Sequence, residues 1–230
     1  MQSTARFLDW VTWRLESRYR VGLAYSILRV YLALLPRDEQ VWLVLHALLR
    51  RSRSPKLVID LRRGVDATAS PLLYQYLGDA LARTGEGEEA RTVLDKALEL
   101  WPESPAVYMG FARLHVHARE FAAAKSMVDQ ALERLDPRDD YGLFVDCASA
   151  LLDIPGSQSK GQEILEQAVK IQPDDWIPHL YLAALLQEEN PEASTRHLER
   201  FQRITGLNAD ETRDELKDAT LRLAHPSSPT

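Results

Sequence analysis

The chain of 230 residues has a single cysteine, Cys147, and therefore no internal disulfide. One thiol suits a reducing compartment. Its place between Val145 and Ala148, in an apolar stretch, fits a small buried group better than a nucleophile. Several motifs of chemistry are missing as well. There is no CxxC, no HExxH and no glycine-rich phosphate loop. Gly85-Glu86-Gly87 lacks the strand that precedes a dinucleotide-binding turn and reads as a break between helices. The most apolar run, Val21 to Leu35, is 15 residues long and contains Arg29. A membrane span needs about 20 apolar residues, so this run is expected to be a buried helix. Met1 to Leu8 has no apolar core, and Asp9 and Glu16 interrupt the adjoining stretch, so no secretory leader is expected and the reading is cytoplasmic.

The titratable residues do not assemble into an active site either. His115 and His117 are two apart, about 200° around a helix, and diverge rather than share a metal. His46, His115 and His179 fall on packing faces. Asp139-Asp140 and Asp174-Asp175 precede helices, where negative charge favours the helix N-terminus. Ser157 and Ser159 have no paired His and Asp in the sequence. The expectation is no catalytic residue, no metal, no cofactor and no enzyme.

What the chain does have is a period. Ala97, Ala131 and Ala168 are 34 and 37 residues apart, and each is followed five or six residues later by a proline: Pro102, Pro137 and Pro173. The clearest unit runs from Pro71 to Ser104. Tyr74, Leu77, Gly78 and Leu81 line one helix face, and after the Gly85/Gly87 break Ala90, Leu94, Ala97 and Leu98 line another. Gly78 and Ala90 are small where two paired helices cross closely. The next unit repeats this with Tyr108, Phe111, Ala112 and His115, then Phe121, Ala124, Val128 and Ala131. A third, Tyr141 to Pro173, holds Val145, Ala148, Ser149 and Leu152, then Gly161, Leu165 and Ala168. His179, Leu182, Ala183 and Leu186 open a fourth whose second helix, about Glu192 to Thr205, departs from the pattern. On the N-terminal side Trp42, Leu45, His46 and Leu49 read as a first helix and Pro55 to Gly64 as a short second one. Phe7 to Ser17 and Tyr19 to Leu35 read as a further pair.

These residues resemble the tetratricopeptide repeat, in which an early aromatic–leucine–glycine motif is followed by alanine, a large apolar residue, a second alanine and proline. The resemblance implies an all-α, right-handed superhelical solenoid. Its organisation is expected to be degenerate basic helix pairs over residues 1–70, the repeat array over 71–206, a capping helix over 207–224 and a disordered tail over 225–230, about six pairs in all. Asn208 and Glu211 have the spacing of a capping box at the start of that last helix.

Proteins of this family hold partners along the concave face made by the first helix of each pair, and the register turns particular residues that way. They are Trp13, Leu43, Arg50, Leu72, Gln75, Asp79, Arg83, Met109, Arg113 and His117. Arg50, Arg83 and Arg113 are expected to read carboxylates, and Leu43, Leu72, Met109 and Trp13 to supply apolar contact. The Lys-Asn-Asn-Lys-Arg clamp by which one subclass reads chaperone tails is not supplied, because Gln75, Asp79 and Gly110 stand at its positions. The function implied is a protein-binding scaffold, adaptor or chaperone subunit for an acidic partner with apolar anchors.

Charge suggests an alternative. Residues 1–70 carry 12 Lys/Arg and 6 Asp/Glu, a net of +6, against 16 and 28 over residues 71–230, a net of −12. The densest basic run is Arg50, Arg51, Arg53, Lys56, Arg62 and Arg63. Self-association or peripheral membrane contact through these ends is the alternative reading. Nucleic acid is not expected, since the chain is acidic overall and has no aromatic–basic interleave.

Overall fold

The computed structural model describes residues 21–51 and 56–224. Among the described residues there are twelve helices and no strand. They belong to two compact units, residues 1–102 and 103–230.

The first unit contains α1 (Val21–Leu34), α2 (Glu39–Arg51), α3 (Leu57–Thr68), α4 (Pro71–Arg83) and α5 (Gly87–Leu100). Local chemistry sets the start of α4. The Ser70 hydroxyl accepts from the Leu73 amide at 3.4 Å, and Pro71 occupies the first turn, where its missing N–H costs nothing. The same hydroxyl donates to Glu39 Oε1, tying the start of α4 to that of α2. Helices α4 and α5 form a hairpin through the predicted faces, Tyr74, Leu77, Gly78 and Leu81 against Ala90, Leu94 and Ala97, all buried, and Leu73 is buried with them. A Cβ on Gly78 would lie 2.9 Å from Leu94 Cδ2, so the glycine is what lets these two helices approach. Trp101 packs edge-on against Tyr74, with ring centroids 5.5 Å apart.

The α2/α3 hairpin departs from expectation at its end. Gly64 does not stop the second helix, which continues to Thr68. A Cβ on Gly64 would meet the Trp42 ring at 3.1 Å and Leu73 at 3.2 Å, so this glycine serves close packing. The helix stops instead at Ala69, whose φ of 49° is left-handed. Trp42 is buried and donates its indole N–H to the Pro36 carbonyl at 2.8 Å. The helix expected over Phe7–Ser17 lies outside the described residues.

In α1, Leu28 and Leu32 are buried, and Tyr25 and Arg29 reach Asp60 on α3. The Asp60 carboxylate is 2% exposed and accepts from the Tyr25 hydroxyl at 2.8 Å, Arg29 at 2.9 Å and Arg63 at 3.2 Å. A buried charge needs such partners, and here they join two helices 31 or more residues apart.

The second unit contains α6 (Pro105–His117), α7 (Phe121–Arg134), α8 (Tyr141–Leu152), α9 (Gln158–Ile171), α10 (Trp176–Leu185), α11 (Pro191–Thr205) and α12 (Ala209–Ala224). The hairpins are α6/α7, α8/α9 and α10/α11. Gly161 stands where Ala90 and Ala124 stand in the preceding pairs. A Cβ there would meet Leu152 at 2.9 Å. The last pair, which looked off-pattern, keeps the register with different chemistry. Ser194 takes the small-residue place, and its buried hydroxyl donates to the Ala183 carbonyl at 2.7 Å. Phe201 takes the place of Ala97, Ala131 and Ala168 and packs between α10, α11 and α12. Leu180, Ala184, Phe201 and Ala219 are buried together, with Trp176, Leu198, Leu207, Leu216 and Leu223 packed against them. The capping box of α12 forms: Asn208 Oδ1 accepts from the Asp210 and Glu211 amides at 3.0 Å, and Glu211 accepts from the Asn208 amide at 2.9 Å.

Two histidines join α10 to α11. His179 is 5% exposed and donates Nε2–H to the Pro173 carbonyl at 3.0 Å. Its Nδ1 must then accept from His197 Nδ1–H, 2.9 Å away. Burial lowers the pKa of both rings, and His197 is further lowered by His179 and Arg196. Around the pair, Arg200 opposes protonation, while Asp174, Asp175 and Glu166 favour it. Because the folded rings bind protons less readily than unfolded ones, stability is full above the unfolded value of about 6.5 and falls as pH drops through it. The urea midpoint is therefore expected to be lower at pH 5.5 than at pH 7.5 by an amount that shrinks in His179→Gln, on the order of one proton's linkage. An unchanged difference in the variant would remove the pair from the account.

Candidate functional site

The first helix of each hairpin carries the positions expected to face a partner, and the structure sorts them by accessibility. In the first unit, α2 and α4 are neighbours. His46 stacks on Tyr76 at 3.9 Å between ring centroids, with the planes 14° apart. On these two helices Leu43, Leu72, Asp79 and Arg83 are half-buried and Gln40 is exposed. This is an amphipathic strip: two leucines for apolar contact, with a cation and an anion one helical turn apart on α4. Trp13 and the side chain of Arg50 lie outside the described residues.

Gln75 is a correction. It is 2% exposed, inside the packing of α4, and its Oε1 accepts no hydrogen bond. The register turned it toward the partner face, but the close approach of neighbouring helices encloses it.

In the second unit half of the same positions are consumed by packing. Met109 is fully buried, with its sulfur 3.3 Å from Cys147 Sγ on α8, and offers a partner nothing. Burial of that thiol pushes its pKa up to about 12, leaving an inert packing group. Ala106, Leu143, Ala150, Leu180 and Ala184 are also buried. Arg113 is not a waiting cation. It donates to Asp153 at 2.7 Å and to Ser149 at 3.1 Å, both on the far side of the α6–α8 contact. With side chains 15% and 26% exposed, the Arg113–Asp153 pair is partly screened from water and acts as a strut between successive first helices. His117 remains exposed at the end of α6. Its neighbour His115 faces the other way and meets Glu120 at 2.6 Å.

Of the ten residues expected on the face, Leu43, Leu72, Asp79, Arg83 and His117 are accessible, and Arg113 is partly so. Sequence reasoning missed Asp153 and Ser149 as the partners of Arg113. Opposite charges on equivalent faces of consecutive first helices were the available signal. Among the described residues, no helix is long and apolar enough to cross a membrane, and no cluster of three or more His, Cys, Asp or Glu side chains has metal-binding geometry.

Comparison with known proteins agrees with the hairpin geometry. The family model of the tetratricopeptide repeat matches residues 71–114, which hold α4, α5 and most of α6. No curated protein matches the chain. Among solved structures, yeast Tom70 is similar with a TM-score of 0.57 at 19% identity, over 90% of this chain and 45% of that one. The Cut9–Hcn1 hetero-tetramer of the APC/C is similar with a TM-score of 0.54 at 13% identity, over 94% of this chain and 46% of that one. At these identities the likeness is one of fold. The chain spans just under half the length of either.

Proposed function

We propose that this tetratricopeptide-repeat protein is a protein-binding scaffold or adaptor, and that the partner lies on the first-helix face of its N-terminal unit. The observation that carries the reading is the half-buried strip Leu43–Leu72–Asp79–Arg83, which mixes apolar and charged groups, whereas in the second unit Met109 is buried and Arg113 is tied to Asp153. A partner segment presenting an apolar side chain to Leu43 and Leu72, and a carboxylate to Arg83, complements it. Asp79 adds selectivity, because a carboxylate placed opposite it is repelled. In the second unit Arg113 is locked to Asp153, and no catalytic step is assigned to either unit. A chaperone or assembly role and a cytoplasmic location remain the proposed setting.

The test is an affinity capture from source-cell lysate with wild type beside Leu72→Glu/Arg83→Glu, then titration of the captured partner. The double variant is expected to weaken binding by about tenfold or more, since it removes an apolar anchor and inverts a charge. Equal capture of the same partners by both proteins would move the site elsewhere. Arg113→Glu is unsuitable as a probe, because it would place two carboxylates together at Asp153 and unsettle the fold.

A further inference from the structure

The α10/α11 hairpin is closed by an imidazole pair that has room between its rings for one proton and not for two. The His179 and His197 ring centroids are 5.2 Å apart, and the two Nδ1 atoms are 2.9 Å apart. The centroid separation is little more than that of the nitrogens plus a ring radius on each side, so the two Nδ1 atoms point at each other. A metal ion held by both rings would need their lone pairs to converge to one side. Facing nitrogens instead share a single proton. His179 Nε2 meets the Pro173 carbonyl, which can only accept, so that nitrogen carries its proton and Nδ1 is the one place left on His179 for another. His179 is buried and His197 half-buried.

Two added protons therefore have different effects. The first goes to His197 Nε2, and the Nδ1–H···Nδ1 bond survives it. The second must go to His179 Nδ1, where it replaces that bond with two N–H groups and two positive charges face to face. The surroundings do little to absorb this charge. Glu166 on α9 acts on His197, and Asp174 and Asp175 ahead of α10 act on His179, while Arg196 and Arg200 on α11 add like charge. Asp174 already pairs with Arg200, and Asp175 already accepts from the Ile177 amide at 3.0 Å. Helix α12 meets this region through Leu216, Ala219 and Leu223, which do not titrate. The other hairpins of the unit respond differently to acid. His115 meets the Glu120 carboxylate, a contact that a proton leaves intact, and His117 is exposed.

We propose that the His179–His197 pair is an acid-sensitive clasp: protonation of both rings loosens α11 from α10 and draws Phe201 out of its apolar cluster, while the α6/α7 and α8/α9 hairpins stay closed. The clasp confines the acid response to one hairpin and needs two protons to open. Burial, the largest influence on both rings, keeps them neutral in the closed state, so opening takes up protons and is favoured as pH falls. The clasp is independent of the first-helix face assigned to a protein partner.

Hydrogen exchange of the full chain at pH 7.5 and pH 5.0, read peptide by peptide and corrected for the intrinsic rate, tests this. Opening of α11 in the wild type is expected to rise by about a hundredfold between the two, against at most about thirtyfold for one ring with an unfolded pKa of about 6.5. Opening of α6 to α9 is expected to change little. His179→Gln/His197→Asn keeps an amide at each place, able to bond Pro173 and its partner, and removes both titrations, so the acid response of α11 is expected to vanish. Should circular dichroism show that the double variant has lost its fold, His197→Asn alone is read, with a response below about thirtyfold. An acid response shared equally by all the hairpins overturns the proposal, as does one that the folded variant keeps in full. Nitrogen NMR of the rings at pH 7.5 is expected to find His179 protonated on Nε2 and His197 on Nδ1, and the opposite tautomer of His197 would also overturn it.

Discussion

Phe201→Ala is expected to destabilise the second unit by about 3–5 kcal/mol, the usual cost of truncating a fully buried aromatic residue. The ring is 1% exposed and meets Trp176 edge-on at 6.0 Å between centroids. It occupies a place that holds alanine in the three preceding hairpins, so no neighbour is shaped to collapse into the hole. The cavity would open between α10, α11 and α12, which share Leu180, Ala184 and Ala219. Urea unfolding should show the loss in the midpoint without a change in slope. Amide exchange should rise first in α12, whose apolar side rests on that cluster. A loss below about 1 kcal/mol, or unaltered protection in α12, would mean that Phe201 does not hold the capping helix in place.

Asp60→Ala is expected to cost about 2–4 kcal/mol in the first unit. The carboxylate is the shared acceptor of three donors from α1 and α3, and it is itself nearly inaccessible. Removing it leaves the Tyr25 hydroxyl and the Arg29 guanidinium without their acceptor beside an apolar interior. The cost stays below that of a fully buried pair because Arg29 and Arg63 are 35% and 54% exposed and can turn to water. Asp60→Asn keeps an oxygen for Tyr25 and should lose roughly half as much. The loss is expected to appear as weakened protection of α1, measured by hydrogen exchange. If Asp60→Ala unfolds at the wild-type urea midpoint, the cluster is not what fixes α1 to α3.

These two sites also show where sequence reading stopped. The hairpins around Gly78, Ala124 and Gly161 were legible because backbone proximity tolerates only small side chains, and a solenoid repeats that demand at a near-constant spacing. The α12 capping box was legible because it is local, set by Asn208 and Glu211 three residues apart. The last hairpin was obscured when Ser194 met the same steric demand with a hydroxyl, and when a ring, Phe201, stood where the other hairpins have alanine. Gly64 looked like a helix stop because glycine breaks helices by propensity, yet the Trp42 ring needed the space.

The face was legible as a register and not as a surface. Periodicity says which way a position turns, but not whether the next helix covers it. That is why Met109 and Gln75 are enclosed while Leu72 and Arg83, on the same periodicity, are accessible. The Arg113–Asp153 strut spans 40 residues. It required knowing which first helices are neighbours, and it converts an expected recognition residue into a fold-holding one.

The most direct measurement is site-specific photocrosslinking in source cells, with benzoylphenylalanine in place of Arg83 on the first-helix face and, in a second strain, in place of Arg91 on the exposed side of α5. The expected result is a discrete crosslinked partner from position 83, absent from position 91 and lost when Leu72→Glu is added. A partner crosslinked from position 91 and not from position 83, or equally from both, would contradict recognition through the first-helix face of the N-terminal unit.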